Sequence, residues 1–393
     1  MMLKYFKQQY IYPFIWCLYY LQGTLYAEGS IISQGLLAVF LLCSIYYFIQ
    51  VCKYKNVPRP IKALKYLAIM FGFYGLLRLG VETSGWRYVN DATTYFKEYE
   101  LSILPIFAFY YFSRERLIDS KWFYQFTFVF FVTAIASFMY QETQALLRTW
   151  RGETTNNAGY FVVSLMPLLV FYRKKPIIQY AALLLIFLLV IRGMKRGAIL
   201  AVVIGGAYFV WSSFKKAHGK MKLLFLLMGL IAVIASVAFF QYQLANSDYM
   251  QLRMEMTKEG DMSNRESMYP AYFNYFFDKA GPLEFMFGFG ADGTLKNMGE
   301  FAHQDWLETM MNQGILGLSL MLYFWISLFV TTWHSRLLKC PNITIIMSLF
   351  LIIYFIKSMI SMSINGMTLF ATSALAYALA GLYNPSIREE LTD

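Results

Sequence analysis

The chain has 393 residues, of which 58% are hydrophobic, 19% aromatic and only 15% charged, and its mean hydropathy is +0.46. Soluble domains carry about 25% charged residues, and disordered, collagen-like, coiled-coil and small disulfide-bonded chains lack repeated apolar blocks of membrane-spanning length. The net charge of +11 is therefore no pointer to nucleic acid, because surplus Lys and Arg in such a chain mark the loops that stay in the cytoplasm.

Apolar blocks of roughly 16–22 residues, enough to cross a bilayer core, centre near Leu18, Leu41, Met70, Ala108, Phe131, Met166, Leu184, Ile204, Ile231, Leu320, Ile352 and Leu375. The pattern predicts an all-α integral membrane protein of about 12 transmembrane helices, forming a single polytopic domain over 1–393. With the N-terminus inside, Lys4, Lys7, the 53–65 and 114–121 loops, Arg173 to Lys175, Lys215 to Lys222, Arg336, Lys339 and Arg388 fall on the cytoplasmic side. Only Glu115, Asp119, Glu389, Glu390 and Asp393 accompany them. This asymmetry places both termini in the cytoplasm. Lys4 and Lys7 before an apolar stretch resemble a signal peptide, but no small-x-small cleavage site follows, so the segment stays as the first span. Cys17, Cys43, Cys52 and Cys340 lie in spans or near cytoplasmic ends, where no disulfide is expected.

Two cations interrupt the apolar blocks. Arg78 and Lys357 fall in the outer halves of spans three and eleven, where an ionisable group is expensive and faces a cavity or a partner. Between spans seven and eight, Arg192-Gly193-Met194-Lys195-Arg196-Gly197-Ala198 sets three cations in a tight outer turn, a local exception to the positive-inside bias. Spans nine and ten are joined by a long outer loop, 241–305. Within it Arg265 precedes a stretch in which Met268, Tyr269, Tyr272, Phe273, Phe276 and Phe277 recur at helical spacing. That stripe predicts an amphipathic helix near 267–279, with Pro270 in its first turn, lying along the interface or against the bundle.

Farther along, Gly288-Phe289-Gly290-Ala291-Asp292-Gly293 fits a dinucleotide-binding pattern letter for letter. It follows no βαβ strand and lies outside the membrane, so it reads as a tight turn. His303, the one outer histidine, immediately precedes span ten in His303-Gln304-Asp305-Trp306-Leu307-Glu308. The start of a helix disfavours imidazolium and keeps the ring neutral, as a general base near pH 7 requires. Arginines gathered at an outer membrane boundary suit a lipid-linked pyrophosphate, because guanidinium donors are planar, permanently charged and bidentate. Trp86, Tyr88, Trp150 and Tyr160 are candidates for stacking on sugars, although interfaces collect such residues anyway. Hydrolase, ATPase and zinc-enzyme motifs are missing from the sequence, and neither a metal nor a cofactor is expected.

The ordered set of Lys195-Arg196-Gly197-Ala198 opening a span, Arg265 early in the long loop, Phe287-Gly288-Phe289-Gly290, the His303 segment and Gln313-Gly314-Ile315-Leu316-Gly317-Leu318 resembles the O-antigen ligase and polymerase family. Lys195 stands where many members have a small hydroxyl residue, and Gln304 where asparagine or serine is common, so neither departure removes a charge. The resemblance implies a GT-C-like bundle in the bacterial inner membrane and a metal-independent glycosyltransferase with an undecaprenyl-pyrophosphate-linked glycan as donor. Its matched functional positions are His303, Arg265 and Arg196, with Arg192, Lys195, Lys357, Arg78 and Asp305 as further candidates for holding pyrophosphate or sugar. His303 takes the proton of an acceptor hydroxyl, the arginines hold the pyrophosphate, and Asp305 orients the imidazole or replaces it.

The expected reaction is polymerisation of lipid-linked repeat units into O-antigen, capsular polysaccharide or exopolysaccharide, favoured by a compact, aromatic loop. Ligation of the finished glycan to lipid A core is the alternative. Expected partners are the lipid-linked glycan, membrane lipid, a chain-length regulator and a flippase, without nucleic acid. A transporter of polysaccharide or lipid-linked sugars is a reading of a different class. Transporters bind near the midplane, between repeats, so convergence of Arg196, Arg265 and His303 at one outer site separates the two.

Overall fold

A computed structural model describes residues 7–22, 30–80, 101–148, 156–216, 219–258, 265–338, 340–362 and 366–392. Trp86, Tyr88, Trp150 and His218 lie outside them. In chain order the helices are α1 (Gln8–Gln22), α2 (Ile31–Cys52), α3 (Arg59–Arg78), α4 (Pro105–Arg114), α5 (Ser120–Arg148), α6 (Gly159–Val163), α7 (Pro176–Arg192), α8 (Arg196–Lys216) and α9 (Lys220–Asn246). There follow α10 (Asp248–Lys258), α11 (Arg265–Lys279), α12 (Pro282–Phe287), α13 (Gly293–Met298), α14 (Asp305–Ser335), α15 (Pro341–Ile360), α16 (Leu369–Gly381) and α17 (Pro385–Thr392).

Each of the twelve predicted centres falls in a helical segment, but length divides them. Seven helices among the described residues, α2, α3, α5, α8, α9, α14 and α15, are long and apolar enough to cross a membrane. Gly159–Tyr172, α7 and α16 are apolar but shorter, and α1 and α4 have 15 and 10 residues. The sequence count of about 12 thus exceeds what helix length alone supports. The reason is visible in α16, all thirteen residues of which are buried. Its Ala371, Ala374, Ala376, Ala378, Ala380 and Gly381 let neighbours approach closely, so it is sheathed by protein and its apolarity reports core, not lipid. In the sixth block, Pro167 lacks an amide hydrogen, and the chain passes from α6 into a 3-10 segment, Met166–Tyr172.

α16 packs on α4, α15 on α8, α14 on α3, and α9 on α7. α2 and α9 are the least enclosed, and Leu42, Leu223, Leu230, Ile231 and Ile234 project outward as a lipid-facing surface requires. Polar contacts sort into two ends. At one, Trp122 donates to Gln9 O, Arg116 pairs with Glu390, and Lys216 meets Asn342, all segments predicted to be cytoplasmic. At the other, Arg192 pairs with Glu142, Asn156 N donates to Gly193 O, and Arg265 reaches Ile360 O, all from segments predicted to be outer.

Between α9 and α14 the chain is largely helical. α9 continues to Asn246, so this segment begins later than the predicted 241, and the amphipathic helix begins at Arg265, before the predicted 267. Pro270 consequently lies beyond the first turn, where it leaves the Glu266 carbonyl without its intrahelical donor. Tyr272 and Phe276 bury against Ala302, Met310 and Met311, while Phe273 and Phe277 remain exposed. The stripe therefore divides between packing on α14 and an outward aromatic face.

Candidate active site

The site grows out of a broken helix. Within α14, Gly314 takes φ +65° and ψ −162°, which interrupts the helix and strips the carbonyls of Met311 and Asn312 of their usual donors. The glycine-rich turn supplies replacements: Phe289 N donates to Met311 O at 2.8 Å and Gly290 N to Asn312 O at 3.1 Å. The close approach needs glycine, because a Cβ at Gly288, φ +75°, would enter the Asn312 backbone, and one at Gly314 would meet Met286. The expected tight turn over 288–293 is thus a plug for a helix break. α3 holds its other side, where Tyr74 donates to Phe287 O and Arg78 Nε lies 2.7 Å from Asp292 Oδ2, with both side chains of the ion pair almost fully buried.

Glu308, buried on the first half of α14, ties this platform to the histidine. Its Oε1 accepts from the Thr294 hydroxyl and from Asn312 Nδ2 at 3.0 Å, and its Oε2 accepts from Ala302 N at 2.8 Å. The next residue, His303, has φ +52°, in the left-handed region that costs a non-glycine residue on the order of 1 kcal/mol or more. A pinned amide before a strained histidine fixes where the ring leaves the backbone. Tyr272 hydroxyl adds a second fastening by donating to Glu300 O at 2.8 Å.

The C-terminal end of α15 collects the other parts. The last carbonyls of a helix lack intrahelical donors and carry partial negative charge. Arg265 Nη1 donates to Ile360 O at 2.8 Å, and Gln304 Nε2 approaches Met359 O at 3.4 Å. Gly197, directly after Lys195 and Arg196, lies against the Tyr160 hydroxyl and the Ile360 side chain, where a Cβ would collide. One turn back on α15, buried Lys357 donates to Gly366 O at 2.9 Å and sits 5.3 Å from the Tyr160 ring centre. Segments 195–197, 265, 303–304 and 357–360, together with Gly366, are remote in sequence and meet at one end of the bundle.

His303 remains accessible there. Partial withdrawal from water, followed by the positive charges of Arg265 and then Lys195, holds its imidazole below the usual histidine range, with Glu300 opposing them. A ring kept neutral beside cations can accept a proton, and the cations can receive an anionic group.

Of the residues singled out from sequence, His303, Arg265 and Lys195 share this electrostatic neighbourhood, and Arg196 opens α8 beside Lys195, half-buried. Lys357 and buried Asp305 act on one another, so Asp305 faces the lysine charge, whereas Glu300 is the carboxylate felt by the imidazole. Arg78 pairs with Asp292 under the turn, and Arg192 pairs with Glu142 at 2.8 Å on α5. Sequence reading did not single out Asp292, Thr294, Glu300, Glu308 or Asn312 for roles. Glu308 was legible in one respect, as an acidic residue on the apolar span-ten helix, which by default marks a partnered site.

The O-antigen ligase family model matches residues 181–322, which run from α7 through the cationic turn, the glycine-rich plug and His303 into the second half of α14. Over these residues, a little over a third of its length, the chain is similar to the O-antigen ligase family, as an O-antigen ligase-like domain. That domain contains Arg192, Lys195, Arg196, Arg265, His303 and Glu308, while Arg78, Lys357 and Ile360 reach it from outside the matched range. No curated protein matches the chain.

Proposed function

We propose that the protein transfers a glycan from a lipid-linked pyrophosphate donor to an acceptor hydroxyl, at the outer face of the bacterial cytoplasmic membrane. The observation that carries this reading is the meeting of His303, Arg265 and Lys195 at one end of the bundle, inside the residues that match the O-antigen ligase family. In the proposed step, the acceptor oxygen attacks the anomeric carbon and its proton passes to neutral His303. The bond from the anomeric carbon to the pyrophosphate oxygen breaks, and the lipid pyrophosphate leaves with the electron pair. Arg265 and Arg196, helped by Lys195, hold that pyrophosphate and stabilise the charge that gathers on it, the largest single contribution in many such transfers. Direct displacement gives inversion at the anomeric carbon. Glu308 acts through the backbone at Ala302 as a positioning residue for His303.

The family description favours ligation, transfer of a finished glycan to lipid A core, over the polymerisation expected first from the sequence. The transporter reading loses support from the helix break itself. In transporters, broken helices free backbone groups for the cargo, whereas here the Met311 and Asn312 carbonyls are taken by Phe289 and Gly290.

The test is the surface-glycan pattern of a deletion strain complemented with wild type, His303→Ala, Arg265→Ala or Arg196→Ala, with membrane abundance matched by immunoblot. The proposal expects long chains stranded on the lipid pyrophosphate in all three variants. A single repeat unit on lipid A core means polymerisation instead, and normal patterns from all three at equal abundance refute the site.

A further inference from the structure

The far end of the bundle holds a cavity that the transfer reaction does not use. α5 and α7 connect the two ends: Glu142 and Arg192 lie at the His303 end, and Ser120 and Pro176 at the other. Between the starts of these two helices, the 3-10 segment and α17 is a half-open cavity of about 660 Å³, within the range of small-ligand sites. Phe171, Tyr124 and Tyr172 form apolar wall, and Lys121, Arg173, Lys174 and Lys175 supply four cations.

The two carboxylates in the lining are already engaged. Glu390 pairs with Arg116, accepts from Tyr377 hydroxyl at 2.5 Å and from Ser120 N at 3.3 Å, and Asp119 Oδ1 caps α5 by accepting from Trp122 N at 2.8 Å. Arg173 is committed to α17, where it donates to Leu391 O and to Glu390 O. The side chains of Lys121, Lys174 and Lys175 are exposed, with Lys175 donating to the Tyr124 hydroxyl at 2.5 Å and lying 4.8 Å from the centre of that ring. Three exposed ammonium groups beside an aromatic wall, on segments of positive-inside character, complement an amphipathic anion better than a free one. Basic pockets between helix ends on this side of a membrane recognise anionic headgroups.

We propose that this cavity binds an anionic phospholipid, its phosphate among Lys121, Lys174 and Lys175 and the start of its acyl chains along Phe171 and Tyr172. Lysines near an anionic lipid contribute on the order of fivefold in affinity each, so removing three weakens binding by about 100-fold.

The full chain, purified in neutral detergent, is titrated with dioctanoyl-phosphatidylglycerol, dioctanoyl-phosphatidylcholine and inorganic phosphate, and bound ligand is counted by native mass spectrometry. The expected result is saturable binding of phosphatidylglycerol alone, weakened about 100-fold by Lys121→Gln/Lys174→Gln/Lys175→Gln. A control variant, Lys53→Gln/Lys55→Gln/Lys62→Gln, removes the same charge from exposed lysines outside the cavity and is expected to bind as wild type. Equal binding of phosphatidylcholine, equal binding of phosphate, or equal loss in both triple variants overturns the proposal.

Discussion

At the His303 end, Arg265 and Lys357 donate to backbone carbonyls at the close of α15 or just beyond it, and Arg78 is buried against Asp292. At the opposite end, Lys121, Lys174 and Lys175 stand exposed around a half-open cavity. Both ends gather cations, but the first holds several of them by hydrogen bonds to buried or half-buried groups, whereas the second leaves Lys121, Lys174 and Lys175 exposed, Lys175 resting on the Tyr124 hydroxyl. Fixed donors stabilise a developing charge without reorganising, which is what lowers a barrier. Mobile surface lysines attract a phosphate but do not orient it, which suits binding without chemistry. Burial, more than residue type, thus separates a candidate active site from a candidate lipid site.

The largest expected effects fall at the first end. His303→Ala should lower transfer by about 10²–10⁴-fold through loss of the general base, and Arg265→Ala by about 10²–10³-fold through loss of charge stabilisation. Both are read as initial rates of glycan transfer with membrane preparations of matched abundance. The lysine triple variant at the other end should transfer at the wild-type rate. A comparable loss there would erase the contrast between the ends.

Next in size is the platform. Arg78→Ala breaks the buried ion pair with Asp292, which costs about 3–5 kcal/mol, measured by the denaturant midpoint of the purified protein. The sequence marked Arg78 as an intramembrane cation facing a cavity or a partner and as a candidate for holding pyrophosphate or sugar, and the structure pairs it with Asp292. Its partner, 214 residues away on the glycine-rich turn, was not legible, because no periodicity links α3 to that turn. The same limit applies to Glu308. Its acidic side chain on a span-ten helix was visible, but its bonds to Thr294, Asn312 and Ala302 depend on the break at Gly314, and a glycine in an apolar run does not by itself announce positive φ. The helical membrane class was plain from apolar blocks. Which blocks are long enough to span alone was not, since α16 and lipid-exposed α9 are both apolar runs and only packing distinguishes them.

A smaller effect sharpens the comparison through pH. Protonated His303 cannot accept the hydroxyl proton, so the rate falls as pH drops through its pKa. Burial and the charges of Arg265 and Lys195 favour the neutral ring and place that fall below the ordinary histidine value of about 6.5. Lys195→Gln removes one of those charges, so the ring binds its proton at higher pH and the acid limb of the rate profile moves upward. An unmoved limb would mean that His303 is not the group titrating in the reaction.

The smallest effects should come from the exposed ion pair at each end. Arg192 pairs with Glu142 at 2.8 Å and Arg116 pairs with Glu390, and the arginine in each pair is more than one-third exposed. Water and salt screen such pairs, and ordering two long side chains offsets their attraction, so either Arg→Ala change should cost less than about 1 kcal/mol. Transfer rates decide whether Arg192 does more than this. If it only tethers α7 to α5, Arg192→Ala and Arg116→Ala should leave the rate alike. A rate loss confined to Arg192→Ala, with stability unchanged, would instead extend the proposed pyrophosphate-holding group from Lys195 and Arg196 back to the first cation of the turn.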